Sequence, residues 1–554
     1  MTNLNKATTV LLIALAGCSP PVEEPAADEP AGLQSVAIDS VSGGQIRAHM
    51  EVLADDAMQG REAGTDGYQQ AADYVASQFR TIGLLPLGDN AGYWQSIGFF
   101  ETRLVPDSAR LALHFGDAQL VLEFRDDFIR AGGFAEPEEE ITAPLVFVGH
   151  GITAPEYGHD DFAGVDVAGK ILVQLSGAPP HFATDQRAFY SSSRGKAAHA
   201  AELGAVGIID VRTPVDQVRR PWARYLPGIG TPGMRWLDAE GMPHAGHPEL
   251  RGSATLSEAG AEKLFTLAGQ DLAQLFEQHA AGKTGSFDLR VTATLARQSI
   301  QREVDSANVL GMLRGSDPAL RNEYVLYTAH LDHIGIREGE GGDDIHNGAY
   351  DNAAGIAVIL EIARGMALPE TAPRRSVIFA AVTAEEKGLQ GSSYLAKNPP
   401  VPIGRIVANI NIDMPYLAFP VADIEAFGAE HTTLLAAVSR ATADMGMGLT
   451  PDPMPAEVRF VRSDQFSFVK EGVPALAFKA GSQSSDPAID GKAMLNDFLK
   501  NHYHRPSDDL ELPYSSEGAE RFARTALLLG LIVAEQGERP RWNEGDFFGD
   551  KFAR

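Results

Sequence analysis

Cysteine is nearly missing from this 554-residue chain: there is one, Cys18. A single thiol excludes a disulfide framework and a thiolate metal cluster, so a metal here must be held by histidine and carboxylate. Positive charge is scarce as well. Lys and Arg number 46 against 74 Asp and Glu, a formal net charge of -28. Such a balance argues against a binder of phosphate backbones, so no nucleic-acid partner is expected. A Gly-x-Ser-x-Gly elbow is also lacking, which leaves a serine hydrolase unsupported. Long hydrophobic runs are absent. Thr525 to Ala534 is short, follows Arg521 and Arg524, and reads as a packed helix rather than a membrane span. What remains is ordinary globular composition, 44% hydrophobic and 22% charged. At about 150 residues per domain, the length suggests two to four domains.

The one cysteine closes Leu15-Ala16-Gly17-Cys18, after Lys6 and a short apolar run. These are signal-peptide proportions, and the tetrapeptide resembles a bacterial lipobox, in which cleavage leaves the cysteine as a lipidated first residue. Residues 1–18 are therefore expected to be a lipoprotein signal peptide. Residues 19–42 are expected to be a Pro/Glu/Ala-rich linker unable to bury a core. Ser19 after the cysteine favours an outer-membrane tether facing the periplasm.

Further along, Ala71, Ala72, Val75 and Phe79 fall on one helical face after the turn-rich Gly60-Arg61-Glu62. Between about 110 and 295, short β-rich runs such as Leu145 to Val148 and Lys170 to Val173 suggest an inserted domain. Lys196 to Leu203 reads as a helix there, and Gly207 to Val211 as the strand after it. From about 302, strands alternate with helices in an α/β pattern. Tyr324 to Thr328, Ser376 to Val382, Ile406 to Ile412 and Ala475 to Phe478 are predicted buried parallel strands. Asn352 to Met366, His431 to Met445 and Ser515 to Glu535 are predicted helices.

Polar residues gather at the ends of those strands, where open α/β sheets place their sites. His330 and Asp332 follow one strand, and Glu385-Glu386 another. Asp413 follows a third, Asp351 opens a helix, and His504 lies in a loop before the last helix. Two histidines and several carboxylates suit a pair of zinc ions with nitrogen and oxygen ligands, one carboxylate bridging. A carboxylate beside a ligand can act as a general base, and Glu385-Glu386 offers both roles. Asp332, two residues after His330, could fix its tautomer. His333 and His346 read as second-shell or exposed. Asp344 and Asn347 could order the loop before Asp351, Ser463-Asp464 could be a cap or a pocket wall, and Asp508 could cap a helix or buttress His504. Gly228 to Gly233 fits the dinucleotide fingerprint only formally. It holds a proline and lacks a strand–helix context, so it reads as a loop.

His330-Leu331-Asp332, Asp351 to Gly355, Glu385-Glu386, Asn411 to Met414 and Tyr503 to Asp508 together make region 302–535 resemble the two-zinc aminopeptidases of metallopeptidase family 28. That superfamily also holds glutamate carboxypeptidase and the transferrin receptor. The resemblance implies two Zn²⁺ per chain: His330 and Asp413 on one, Glu386 and His504 on the other, Asp351 bridging. Glu385 would be the general base and Asp332 the support of His330. No ligand is missing, unlike the transferrin-receptor pattern. The implied fold is a three-layer α/β/α zinc-peptidase domain with a mainly parallel central sheet, from residues 43–110 and 299–540. Residues 111–298 resemble an inserted β-rich protease-associated domain, and 541–554 would be a tail. Peptides are the implied substrates, cut from the amino end. The rivals are a carboxypeptidase or dipeptidase, for which Arg459 and Arg462 could hold a substrate carboxylate, a glutaminyl-cyclase-like acyltransferase, and a non-catalytic binding lipoprotein.

Overall fold

The computed structural model describes Met1 and residues 32–283, 285–337, 342–369 and 372–553. The expected signal peptide, Cys18 and most of the expected linker lie outside the described residues. Four strands form the middle of the main sheet, in the order Ser376–Val382, Tyr324–His330, Ile406–Asn411, Ala475–Ala480, and all run parallel. Antiparallel strands flank them: Phe287–Leu313 beside Ser376–Val382, and Asp423–Phe427 beside Ala475–Ala480.

Every residue of Ser376–Val382 is buried, as expected for a parallel strand covered on both faces. Alternation sends its residues to opposite layers. Val377, Phe379 and Ala381 join the core beneath helices Gly43–Leu53, Asp66–Ile82, Ala354–Met366 and Ser516–Glu535. Ile378, Ala380 and Val382 join a second core, beneath helices Gln390–Lys397 and Gln465–Val469. Three layers result, as expected. The predicted face of Asp66–Ile82 is buried at Ala71, Ala72, Val75 and Phe79. Thr65 caps its first turn by accepting from the Tyr68 N–H.

The second sheet, within 111–298, has its own core of Leu145, Val173, Ile209, Leu264 and Phe265. Its strands Glu138–Phe147, Ile171–Leu175, Gly207–Val211 and Gly252–Leu256 are parallel neighbours. Helices cover it on both faces: Glu258–Leu267 on one, and Ser193–Glu202, through Ala200, on the other. The insert is thus layered α/β rather than simply β-rich, because strands apolar on both faces need helices on both.

Several elements cross the expected divisions. The 27-residue strand Phe287–Leu313 runs unbroken from the second sheet into the main one, so no linker separates the domains at 298/299. Strand Gly233–Trp236, inside the expected insert, pairs with Phe99 to Thr102 at the main-sheet edge. Helix Gly32–Ser40, inside the expected linker, packs Ala37 into the main core, and Val41 just past its end packs there too. The expected tail also packs: Phe548 is fully buried beside Phe460 and Val469, and Lys551 pairs with Glu156 of the insert at 2.6 Å. Among the described residues, no helix is long and apolar enough to cross a membrane.

Candidate metal centre

His330 is the last residue of its strand and is almost wholly buried. Its Nδ1 lies 3.0 Å from the Asp332 backbone carbonyl. That carbonyl can only accept, so Nδ1 carries the proton and Nε2 is left as the electron-pair donor. Nε2 lies 3.2 Å from both Asp351 Oδ1 and Asp413 Oδ1. Burial disfavours a charged ring, but these two carboxylates overcome it and hold His330 well above its ordinary pKa.

The support expected from the Asp332 side chain comes instead from its main chain. The carboxylate is turned elsewhere, accepting the Glu385 N–H at 2.9 Å and the Glu386 N–H at 3.2 Å. Asp332 therefore fixes two things at once, the His330 tautomer and the turn that carries both glutamates.

Asp351 sits in the turn Ala349–Ala353, and the helix begins only at Ala354, later than the predicted Asn352. Asp351 (φ -116°) and Asn352 (φ -137°) leave helical geometry, which aims the Asp351 carboxylate at the site. Asp508 holds this turn, accepting the N–H groups of Tyr350 and Asp351 at 2.9 and 3.0 Å. It thus supports Asp351, and the expected roles of capping a helix or buttressing His504 are replaced by this one. Asn352 accepts from the Gly355 and Met414 N–H groups and donates to the Ile412 carbonyl. One amide side chain so ties the Asp351 turn to the segment carrying Asp413. Gly355 is required there, because a Cβ would fall 2.1 Å from Asn352 Oδ1.

The second cluster forms on Glu386. Its Oε2 lies 3.3 Å from His504 Nε2, and its Oε1 lies 2.9 Å from His333 Nδ1. His504 Nε2 is also 3.2 Å from Asp351 Oδ2. Asp351 thus faces His330 with one oxygen and His504 with the other. Two groupings able to hold a metal share it: His330, Asp351 and Asp413, and His333, Asp351 and Glu386. His333 was not expected to take part. It is fully buried, and its Nε2 has no hydrogen-bond partner among the described residues. The sequence signal was there in His330-Leu331-Asp332-His333, two histidines three positions apart at a strand end.

The residues fit a pair of cations. Among the described residues, His333 Nε2 and both oxygens of the buried Asp464 lack hydrogen-bond partners, and buried polar atoms are rarely left so. Asp464 neither caps its helix through its side chain nor lies exposed; burial lifts its pKa to about 6. Burial also pushes Glu385 well above its ordinary value, opposed by His330 and reinforced by Glu386, Asp464 and Asp413. Asp332 and Asp508 are raised to about 7, chiefly by burial. Carboxylates crowded out of water call for positive charge. The donor set, imidazole and carboxylate without thiolate, suits zinc.

Arg61 supplies part of that charge. It is fully buried and donates to the carbonyls of Leu53, Leu331, Asn347 and Gly348. The loops carrying His330 and Asp351 are thereby pinned to the amino-terminal segment. Asn347 adds to this by donating to the Ala54 carbonyl and to Asp56. Arg459 and Arg462 are engaged elsewhere, with Glu425 and Asp452, and with Glu457. Gly228 to Gly233 forms a 3₁₀ turn running into a strand, a loop as expected.

Fold and site together define a candidate carboxylate–histidine metal site at the carboxyl edge of an α/β/α sheet. Residues 308–529 match the family model for Peptidase family M28. It is 40% identical over 119 residues to the aminopeptidase NAALADL1 of Mus musculus, an alignment covering 20% of this chain and 14% of that protein. It is 32% identical over 128 residues to a probable zinc metalloprotease of Pyrenophora tritici-repentis, covering 23% of this chain and 26% of that one. The aligned part is thus a small fraction of each relative's length. The solved structure of an aminopeptidase from Aneurinibacillus sp. strain AM-1 shares the fold, with a TM-score of 0.53 at 19% identity. It covers 92% of this chain and 100% of its own.

Proposed function

We propose that this chain is a zinc-dependent exopeptidase that removes amino-terminal residues from peptides. The observation that carries the reading is the shared position of Asp351, one oxygen toward His330 and the other toward His504. His330 and Asp413 would hold one zinc, Glu386 and His504 the other, with Asp351 between them. When bound, the ions supply Lewis acidity toward the scissile carbonyl and toward water.

The chain's own groups do the rest. Glu385, its N–H held by Asp332, takes a proton from the attacking water and returns it to the leaving amine. Asp332 keeps the His330 tautomer and the Glu385 turn in register. The crowded carboxylates attract a substrate's free ammonium group. Binding of a substrate carboxylate, as a carboxypeptidase needs, finds no support in Arg459 or Arg462, whose charges are already paired. The insert serves as a protease-associated domain, and acylated Cys18 tethers the enzyme to the outer membrane on its periplasmic side.

Metal analysis of the zinc-loaded protein tests the site. About two zinc per chain, with p-nitroanilide hydrolysis abolished by a chelator and restored by zinc, is the expected result. A protein that retains no metal and turns over no substrate would instead be a binding lipoprotein.

A further inference from the structure

Behind the Glu385–Leu389 turn, between the insert and the main domain, lies a cavity of about 740 Å³. None of the metal-centre residues lines it. Beside Lys196, bonded to the Leu175 and Gly177 carbonyls, and Arg462, paired with Glu457, Arg194 and Arg235 reach it from the insert and Lys470 from the main domain. In a chain with 74 Asp and Glu, not one carboxylate residue is among its lining.

The last three cations have no ion-pair partner among the described residues. Arg194 donates only to the Gly388 carbonyl. Gly388 permits that approach: it sits at φ +90°, and a Cβ would fall 2.4 Å from Arg194 Nη2. The Arg235 Nη1 donates to the neighbouring Met234 carbonyl, and its buried Nε has no partner. Lys470 Nζ lies 5.8 Å from the Phe466 ring. Burial and then the charges of Arg194 and Lys397 bring Lys470 down to about 8, and burial with Arg194 brings Arg235 to about 10. Cations kept together against mutual repulsion mark a place prepared for an anion. Phe189, Leu389 and Phe466 give the cavity apolar walls.

We infer that this cavity binds a carboxylate carried on an apolar body, the carboxylate meeting Arg194, Arg235 and Lys470. The ligand would share Arg194 with the turn whose Gly388 and Leu389 N–H groups donate to the Glu385 carbonyl. The inference stands without the peptidase reading, since no metal-centre residue takes part.

Calorimetric titration of the full-length zinc-loaded protein with N-acetyl-L-phenylalanine, its amide and inorganic phosphate is the test. The acid binds at low-millimolar concentration; the amide and phosphate do not. Lys470→Gln and Arg235→Gln each weaken binding by about tenfold, while His504→Asn, in the metal centre, leaves it intact. Lys470 follows the end of helix Gln465–Val469, outside the strands of both sheets, so Lys470→Gln keeps the test usable if Arg235→Gln fails to fold. Equal binding of acid and amide, phosphate binding as tight as the acid, or no binding at all would overturn the inference. So would loss in His504→Asn with binding retained in Lys470→Gln.

Discussion

Two charged regions lie on either side of the Glu385–Leu389 turn and are built differently. The acidic one, at the ends of the parallel strands, is held almost entirely by main-chain groups. Asp332 takes the Glu385 and Glu386 N–H groups, Asp508 those of Tyr350 and Asp351, and Arg61 the carbonyls of neighbouring loops. The basic one, in the interdomain cavity, is assembled from side chains of two domains with few fixed partners. The first is a rigid seat whose members cannot move independently, which suits ions that need fixed ligands. The second is an adaptable surface, and suits an organic anion.

The sharpest way to break this contrast is at Glu385. Glu385→Gln should lower kcat by about 10²–10⁴-fold while zinc content and melting temperature stay near those of the parent. Metal analysis beside a p-nitroanilide assay reads both, and normal activity would remove Glu385 from the role of base.

Next is Arg61. Arg61→Met leaves four buried carbonyls without their donor, and should cost about 3 kcal/mol or more in urea unfolding. An equivalent change at Arg194, in the basic region, should cost far less. Similar losses at both would mean that the acidic seat is no more rigid than the cavity.

Asp508→Ala comes third. It strips the Tyr350 and Asp351 N–H groups of their acceptor, a loss of about 1–3 kcal/mol, and should weaken zinc retention because Asp351 loses its fixed direction. Unchanged zinc affinity would show that the turn holds itself.

The last prediction concerns pH. Lys196 is buried on the cavity side and donates to the Leu175 and Gly177 carbonyls. Burial holds it at about 8 in the folded chain, against 10.5 ordinarily. Between those values the unfolded chain binds more protons, so stability rises with pH across that window, by at most about 3 kcal/mol. Lys196→Met should flatten the rise in a set of melting curves from pH 7.5 to about 10.5; an unchanged slope would assign it to other groups.

The sequence carried much of the main domain plainly. Continuous apolar runs at 324–328, 376–382, 406–412 and 475–478 became the parallel strands, because a strand buried on both faces leaves that signature. His330, Glu385-Glu386 and Asp413 each follow such a run, whereas Asp351 and His504, which the fold brings within 3.2 Å of one another, sit in a turn and a loop. Three-dimensional partnership was less legible. His333 looked peripheral despite lying three positions after His330, because its partner Glu386, 53 residues on, is invisible in one dimension. Asp508 and Asp332 act through main-chain N–H groups, which have no sequence signature. The boundary at 298 failed because one strand serves two sheets, and the terminal helices at 32–40 and 547–552 were hidden by short length and weak periodicity.

The central claim is that the acidic seat receives a free amino terminus beside its metals. Incubation of the zinc-loaded enzyme with one peptide in free and N-acetylated forms, followed by mass spectrometry, tests it most directly. The account predicts stepwise loss of residues from the amino end of the free peptide and an untouched acetylated one. Cleavage of both at equal rates, or shortening from the carboxyl end, would contradict it.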